Sequence, residues 1–176
     1  MEVSTALAGP GAVNMGLELA WYQNLGAFGS MWEDFTLNAN ATLTDSDAEY
    51  PGRPDKLPTR GASNTLYFVG LQYDKGPFEG QLSYRFRSQY IEGLAFVDQQ
   101  ESSSVGEFAF VGDDQFDDSG EWDINLKYSF NERFGVYCNV TNVLNEARKS
   151  VQGYRQYGDD SYWNQRRINF GITGEF

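Results

Sequence analysis

The sequence contains no histidine, which removes the commonest general base near neutral pH and the commonest transition-metal ligand. A hydrolase-type nucleophile therefore lacks its usual base, and an enzyme is not expected. Cys138 is the single cysteine, so neither an intrachain disulfide nor a cysteine-built metal site is available. On a strand face it reads as a small apolar residue. Basic residues are scarce: 13 Lys and Arg stand against 25 Asp and Glu, a formal net charge of −12. That balance argues against nucleic acid as a partner and against electrostatic attraction to an anionic membrane surface. Long hydrophobic runs are missing too; nothing approaches the roughly 18 apolar residues that a spanning helix needs. Glycine-rich phosphate loops and Ser-His-Asp sets are also absent, so no catalytic residue, cofactor or metal is assigned. The start, Met1-Glu2-Val3-Ser4, has neither the basic region nor the apolar core of a signal peptide.

Aromatic residues are abundant, with 11 Tyr, 13 Phe and 4 Trp. Tyr and Trp suit positions where one edge of the side chain is apolar and the other wet. Seven segments alternate apolar and polar residues with period two, the signature of strands with one oily and one wet face. They are 14–23, 35–44, 65–73, 78–90, 122–130, 134–142 and 162–176. In the cleanest, Phe35, Leu37, Ala39, Ala41 and Leu43 oppose Thr36, Asn38, Asn40, Thr42 and Thr44. In another, Trp122, Ile124, Leu126, Tyr128 and Phe130 oppose Asp123, Asn125, Lys127 and Ser129. Such alternation averages out in hydropathy, so a polar composition does not argue against a membrane.

The connections alternate in length. Asp74-Lys75-Gly76-Pro77 and Asn131-Glu132-Arg133 read as tight hairpin turns, whereas 45–64, 91–121 and 143–161 read as long loops. Short turns at one end and long loops at the other are the habit of transmembrane barrels. Glu, Arg, Lys and Asp on the wet faces need a hydrated or polar-plugged lumen, because a small packed barrel cannot bury them unpaired. The predicted fold is all-β: an antiparallel transmembrane β-barrel fragment of about seven meandering strands, an open curved sheet when isolated. Phe176 ends an alternating strand as the closing strands of bacterial outer-membrane barrels do, which places it at the periplasmic boundary. Counting back, the first strand also runs inward and starts outside the cell. Seven strands break the even-number rule of single-chain bacterial barrels, so part of a larger barrel is expected.

Several runs resemble the TonB-dependent outer-membrane receptors. Gly16-Leu17-Glu18-Leu19 is similar to that family's Gly-x-Glu opening of a late strand. The 73–90 hairpin, with Tyr84-Arg85-Phe86-Arg87-Ser88, resembles its next hairpin. Asn139-Val140-Thr141-Asn142-Val143-Leu144-Asn145-Glu146 resembles its late Asn-Leu-x-Asp/Asn signature, and Arg167 to Phe176 its closing strand. The resemblance implies a division into 1–13, an extracellular loop or truncated strand remnant, and 14–176, the carboxy-terminal strands of a receptor barrel. It implies a bacterial outer-membrane location and a part in active uptake of a scarce nutrient of the siderophore or oligosaccharide class. The implied partners are outer-membrane lipid, the remainder of the barrel and its plug, TonB only through that plug, and the barrel-assembly machinery, which is expected to read Phe176 as an assembly signal. The alternative is a small standalone outer-membrane barrel with a structural or adhesive role.

Two loops carry candidate chemistry. Residues 88–126 hold ten acids and no Lys or Arg. The run from Gly112 to Gly120 can offer oxygen ligands to calcium, but it lacks the spaced acids and the distal Glu of a calcium loop and reads first as a solvated acidic loop. The last long loop brings Tyr154, Arg155, Tyr157, Tyr162 and Trp163 near Arg166 and Arg167. Aromatics with Arg suit stacking on a sugar or aromatic ligand and pairing with its anionic groups. The same residues also suit an outer aromatic belt with strand-end charges.

Overall fold

A computed structural model describes residues 11–50, 56–94, 113–152, 159–162 and 164–174, with backbone only at 151–152 and 159–162. The long strands are β1 (Ala12–Asn24), β2 (Phe35–Glu49), β4 (Thr65–Lys75), β5 (Phe78–Arg87), β8 (Ser119–Ser129), β9 (Phe134–Thr141) and β12 (Arg167–Gly174). They form one antiparallel meander in the order β1-β2-β4-β5-β8-β9-β12, with the two-residue β3 (Lys56–Leu57) paired to the far end of β2. The sheet is unclosed, because β1 and β12 are its two edges and do not pair with each other. The expected all-β, open meander is the observed one.

Pairing register sorts the side chains into two faces. Across β5 and β8, Glu79 lies opposite Lys127, Gln81 opposite Asn125 and Arg85 opposite Glu121. Between them, Leu82 lies opposite Ile124 and Gly80 opposite Leu126. The same division carries through Leu37↔Leu71, Leu126↔Cys138, Cys138↔Phe170 and Val136↔Ile172. One face is thus an apolar row from strand to strand, with Cys138 in it, and the other is a polar ladder. A one-residue slip anywhere would exchange the faces, so the alternation itself specifies the register.

Among the described apolar residues only Ala48 and Ile91 are buried. Among the described residues no second layer covers the apolar face: Leu17, Leu19, Trp21, Leu82, Leu126, Ile168 and Phe170 all stand exposed. A water-soluble sheet buries such a face against another layer.

The short turns form as expected. Lys75 pairs with Phe78, leaving Gly76 and Pro77 as the loop, and Gly76 takes φ +57°, which glycine adopts without steric cost. At the next turn Asn131 Oδ1 accepts from the backbone N–H groups of Arg133 and Phe134, both at 2.9 Å.

All three long segments depart from the plain loops read in the sequence. Strands β6 (Tyr90–Gly93), β7 (Asp114–Phe116), β10 (Arg148–Gln152) and β11 (Asp159–Tyr162) form a second sheet in the order β11-β10-β7-β6. Each is the continuation of a wall strand, so this sheet repeats the order β5-β8-β9-β12 as an upper tier. Tyr90 stacks on Phe116 at 5.2 Å within it. Its strands are short and largely polar, so they show no period-two apolar face. The third segment begins with the end of β2, which runs to Glu49. The single strand read over 162–176 is also interrupted: Tyr162 closes β11, residues 164–166 are irregular, and β12 starts at Arg167.

Candidate functional site

The polar face gathers its densest contacts where the wall meets the upper tier. Glu121 is only 7% exposed and accepts from three directions. Arg85 Nη2 lies 3.3 Å from its Oε2, while Asn164 Nδ2 at 2.6 Å and Arg148 Nη2 at 3.5 Å reach its Oε1. Arg85 Nη2 also donates to Asp123 Oδ2 at 2.7 Å, and Asp123 Oδ1 accepts from the Asn142 backbone N–H at 2.9 Å. Two carboxylates and two guanidiniums thus balance within one cluster drawn from β5, β8, β10 and the approach to β12. Burial makes Glu121 costly to leave unpaired, which its neighbours prevent.

Asn142 is the clip beside this cluster. It is fully buried and takes φ +53°, a left-handed value that Asn tolerates better than most residues. Its Nδ2 donates to the carbonyls of Glu146, at 2.9 Å, and Asn164, while its Oδ1 accepts from the Glu146 N–H at 2.9 Å. The run 139–146, singled out in the sequence by resemblance, is therefore the corner that turns β9 toward β10 and ties down the start of β12.

Further pairs line the same face. Arg87 donates to Ser63 Oγ at 2.7 Å and to the Gly61 carbonyl at 2.5 Å, with its guanidinium 3.6 Å from the Tyr90 ring centre. Toward the short turns, Lys127 Nζ lies 2.7 Å from Glu79 Oε1. No buried side-chain N or O atom among the described residues lacks a hydrogen-bond partner. Among the described residues the polar face is thus satisfied and its central cluster charge-balanced. Shallow clefts of about 240 and 270 Å³ flank the cluster, one beside Tyr84, Trp122 and Arg148, the other beside Phe68, Arg87 and Glu121. Both are smaller than the ~300–1,000 Å³ usual for small-molecule sites. Among the described residues no group of three or more His, Cys, Asp or Glu side chains is placed to hold a metal ion.

The apolar face carries two aromatic girdles. At the short-turn end rings follow one another: Trp32 to Phe35 at 5.7 Å, Phe35 to Tyr73 at 4.8 Å and Tyr73 to Phe78 at 5.9 Å. Phe78 stands opposite Tyr128, which meets Phe130 at 5.2 Å. Toward the long loops Tyr67 meets Phe86 at 4.8 Å and Tyr84 at 5.9 Å, and Tyr84 meets Trp122 at 4.9 Å. Leu37, Ala39, Val69, Leu71, Leu82, Ile124 and Leu126 fill the band between them. Along β2 the outward residues stay apolar from Phe35 to Leu43, and Asp45 and Asp47 follow. That run is about 26 Å along the strand at ~3.3 Å per residue, or about 20 Å of height at a spanning tilt, close to the ~25 Å apolar band of membrane barrels.

Of the ligand-binding residues expected from the sequence, Tyr154, Arg155, Tyr157 and Trp163 lie outside the described residues, as does the expected assembly signal Phe176; Tyr162 ends β11. The sequence grouped Glu121 and Asp123 with a long acidic run; the structure makes both partners of Arg85. It did not bring out Arg148, Asn164 or Asn142 as their neighbours. The one available signal was Asn142 within the 139–146 run.

The fold has a counterpart among solved structures. The crystal structure of the ferric citrate transporter FecA in the unliganded form matches with a TM-score of 0.67 over 93% of this chain, at 15% sequence identity. The chain spans 24% of that transporter's length. At this identity the likeness shows the fold alone, an antiparallel all-β wall. No known family profile and no curated protein matches the sequence.

Proposed function

We propose that the chain forms part of the barrel wall of a TonB-dependent outer-membrane receptor that takes up a scarce nutrient of the siderophore or oligosaccharide class. The observation that carries this reading is the division of one sheet into a charge-paired face and an apolar face bounded by two aromatic girdles. Such a sheet suits a bilayer on one side and a hydrated or plugged lumen on the other. The edges of β1 and β12, unpaired among the described residues, support a larger wall, since an open edge in hydrocarbon leaves backbone groups unsatisfied at several kcal/mol each. They disfavour a small standalone barrel made of these strands alone.

In this reading the short-turn end faces the periplasm and the upper tier stands outside the cell. The aromatic and basic residues of the last long loop, Tyr154, Arg155, Tyr157, Tyr162 and Trp163, contact the ligand, and Phe176 serves assembly. The wall performs no covalent chemistry, and energy enters through the plug and TonB. Ferric citrate, carried by the structural neighbour, is the first compound to test. Uptake of ferric chelates and oligosaccharides is measured in cells with and without the protein, energised or de-energised. Uptake that needs both the protein and the proton-motive force supports the reading. Energy-independent uptake, or recovery of the protein outside the outer-membrane fraction, contradicts it.

A further inference from the structure

The connection between β1 and β2 differs from the two tight turns at its end of the sheet. Those turns are short, and one is the polar Asn131-Glu132-Arg133. This one carries Leu25-Gly26-Ala27-Phe28-Gly29-Ser30-Met31-Trp32, eight residues without a charge. It is also firmly built. Two 3-10 turns, Leu25–Phe28 and Ser30–Trp32, meet at Gly29, whose φ of +143° glycine adopts readily. Asn24 closes the neck: its Oδ1 accepts from the Gly26 N–H at 2.8 Å and its Nδ2 donates to the Glu33 carbonyl at 3.1 Å. A Cβ on Gly26 would sit 2.7 Å from that Oδ1 and 3.0 Å from the Glu33 Cα, so the neck is packed to contact.

This ordered scaffold holds Phe28 74% and Met31 79% exposed. Turns that end in water are built from polar residues, and an apolar projection on a fixed frame marks a contact surface. The direction of the contact follows from Trp32, whose ring meets Phe35 edge-on at 5.7 Å. Phe35 belongs to the apolar face, so the turn continues the girdle on that side and not the charged ladder. Asp34 is already engaged by Lys75 Nζ at 2.7 Å, and residues 25–32 carry no charge of their own, so what they offer a partner is apolar burial.

We infer that the 25–32 turn is an interfacial anchor that docks Phe28, Met31 and Trp32 into the headgroup–acyl boundary of the lipid leaflet at the short-turn end. The inference rests on the membrane-wall reading proposed above. Amphipathic Trp at the girdle and flanking apolar residues one turn further out are the pattern of a segment lying in that boundary.

The test places an environment-sensitive fluorophore on Phe28→Cys, and separately on Met31→Cys, in the intact protein carrying Cys138→Ser. The protein is reconstituted in phosphatidylcholine vesicles containing lipid with a nitroxide high on the acyl chain. Glu132→Cys serves as the aqueous reference and Leu126→Cys as the lipid reference. The expected result is blue-shifted emission at 28 and 31, quenched by the nitroxide lipid and protected from iodide. Iodide quenching at 28 and 31 with lipid quenching at 126 overturns the anchor and leaves the wall reading standing. Iodide quenching at 126 as well removes the wall reading and the anchor with it. Protection at 28 and 31 from both quenchers means that a protein segment or a second copy covers the turn, and overturns lipid docking.

Discussion

Arg85 donates to Asp123 at 2.7 Å although the residue directly opposite it across β5 and β8 is Glu121, at 3.3 Å. One guanidinium on the polar face thus spans two carboxylates on the neighbouring strand. Glu121 remains free to accept from Arg148 and Asn164, which belong to the upper tier and to the approach to β12. The same side chain therefore links the wall to the sheet above it.

Replacing Glu121 by Gln keeps the shape and removes the charge that draws Arg85 and Arg148 together. A hydrogen bond to a charged group contributes about 1.5–3 kcal/mol, so a local loss of roughly that size is expected. It should appear as faster amide exchange in β10 with little change in β4. Unchanged exchange at Ser150 would contradict the role of Glu121 as the link.

Asn142→Ala loses three side-chain hydrogen bonds and leaves at φ +53° a residue that tolerates the left-handed region less well than Asn. A destabilisation of about 3 kcal/mol is expected from unmade bonds and backbone strain together. Asn142→Gly should cost less, because glycine relieves the strain though not the lost bonds. Denaturation of the lipid-embedded protein measures both, and a loss for Asn142→Ala no larger than that of a surface substitution would contradict the clip.

The alternation made the wall legible in the sequence: Leu126 and Lys127 are adjacent yet face opposite ways, and period two alone assigns them. Gly76 and Pro77 marked their turn through backbone preference. The upper tier was hidden because Arg148-Lys149-Ser150-Val151-Gln152 shows no two-faced pattern; its pairing comes from being held beside β7. Asn142 stood out as part of a run, but its role as a corner depends on Glu146 and Asn164 arriving together, which spacing does not reveal. The 25–32 turn escaped notice since its apolar residues follow neither strand nor helix periodicity.

Leu126 lies between Tyr128 of one girdle and Trp122 close to the other, so Leu126→Arg places a charge near the middle of the apolar band. Such a change on the lipid side costs about 2–4 kcal/mol at the bilayer midplane. Asn125→Arg, one residue away on the polar ladder, should cost far less. Folding titrations in lipid vesicles read the difference, and equal costs would defeat the assignment of faces.

Spin-label accessibility along β8 shows whether one face of this sheet meets lipid and the other does not. Single cysteines at 121 to 128 in a Cys138→Ser background carry the label in the membrane-inserted protein. Collision rates with oxygen, which concentrates in lipid, and with a water-soluble nickel chelate are then compared. Oxygen maxima are expected at 122, 124, 126 and 128, with nickel maxima or low rates for both reagents at 121, 123, 125 and 127. A uniform profile, or high nickel accessibility at 124 and 126, would contradict it.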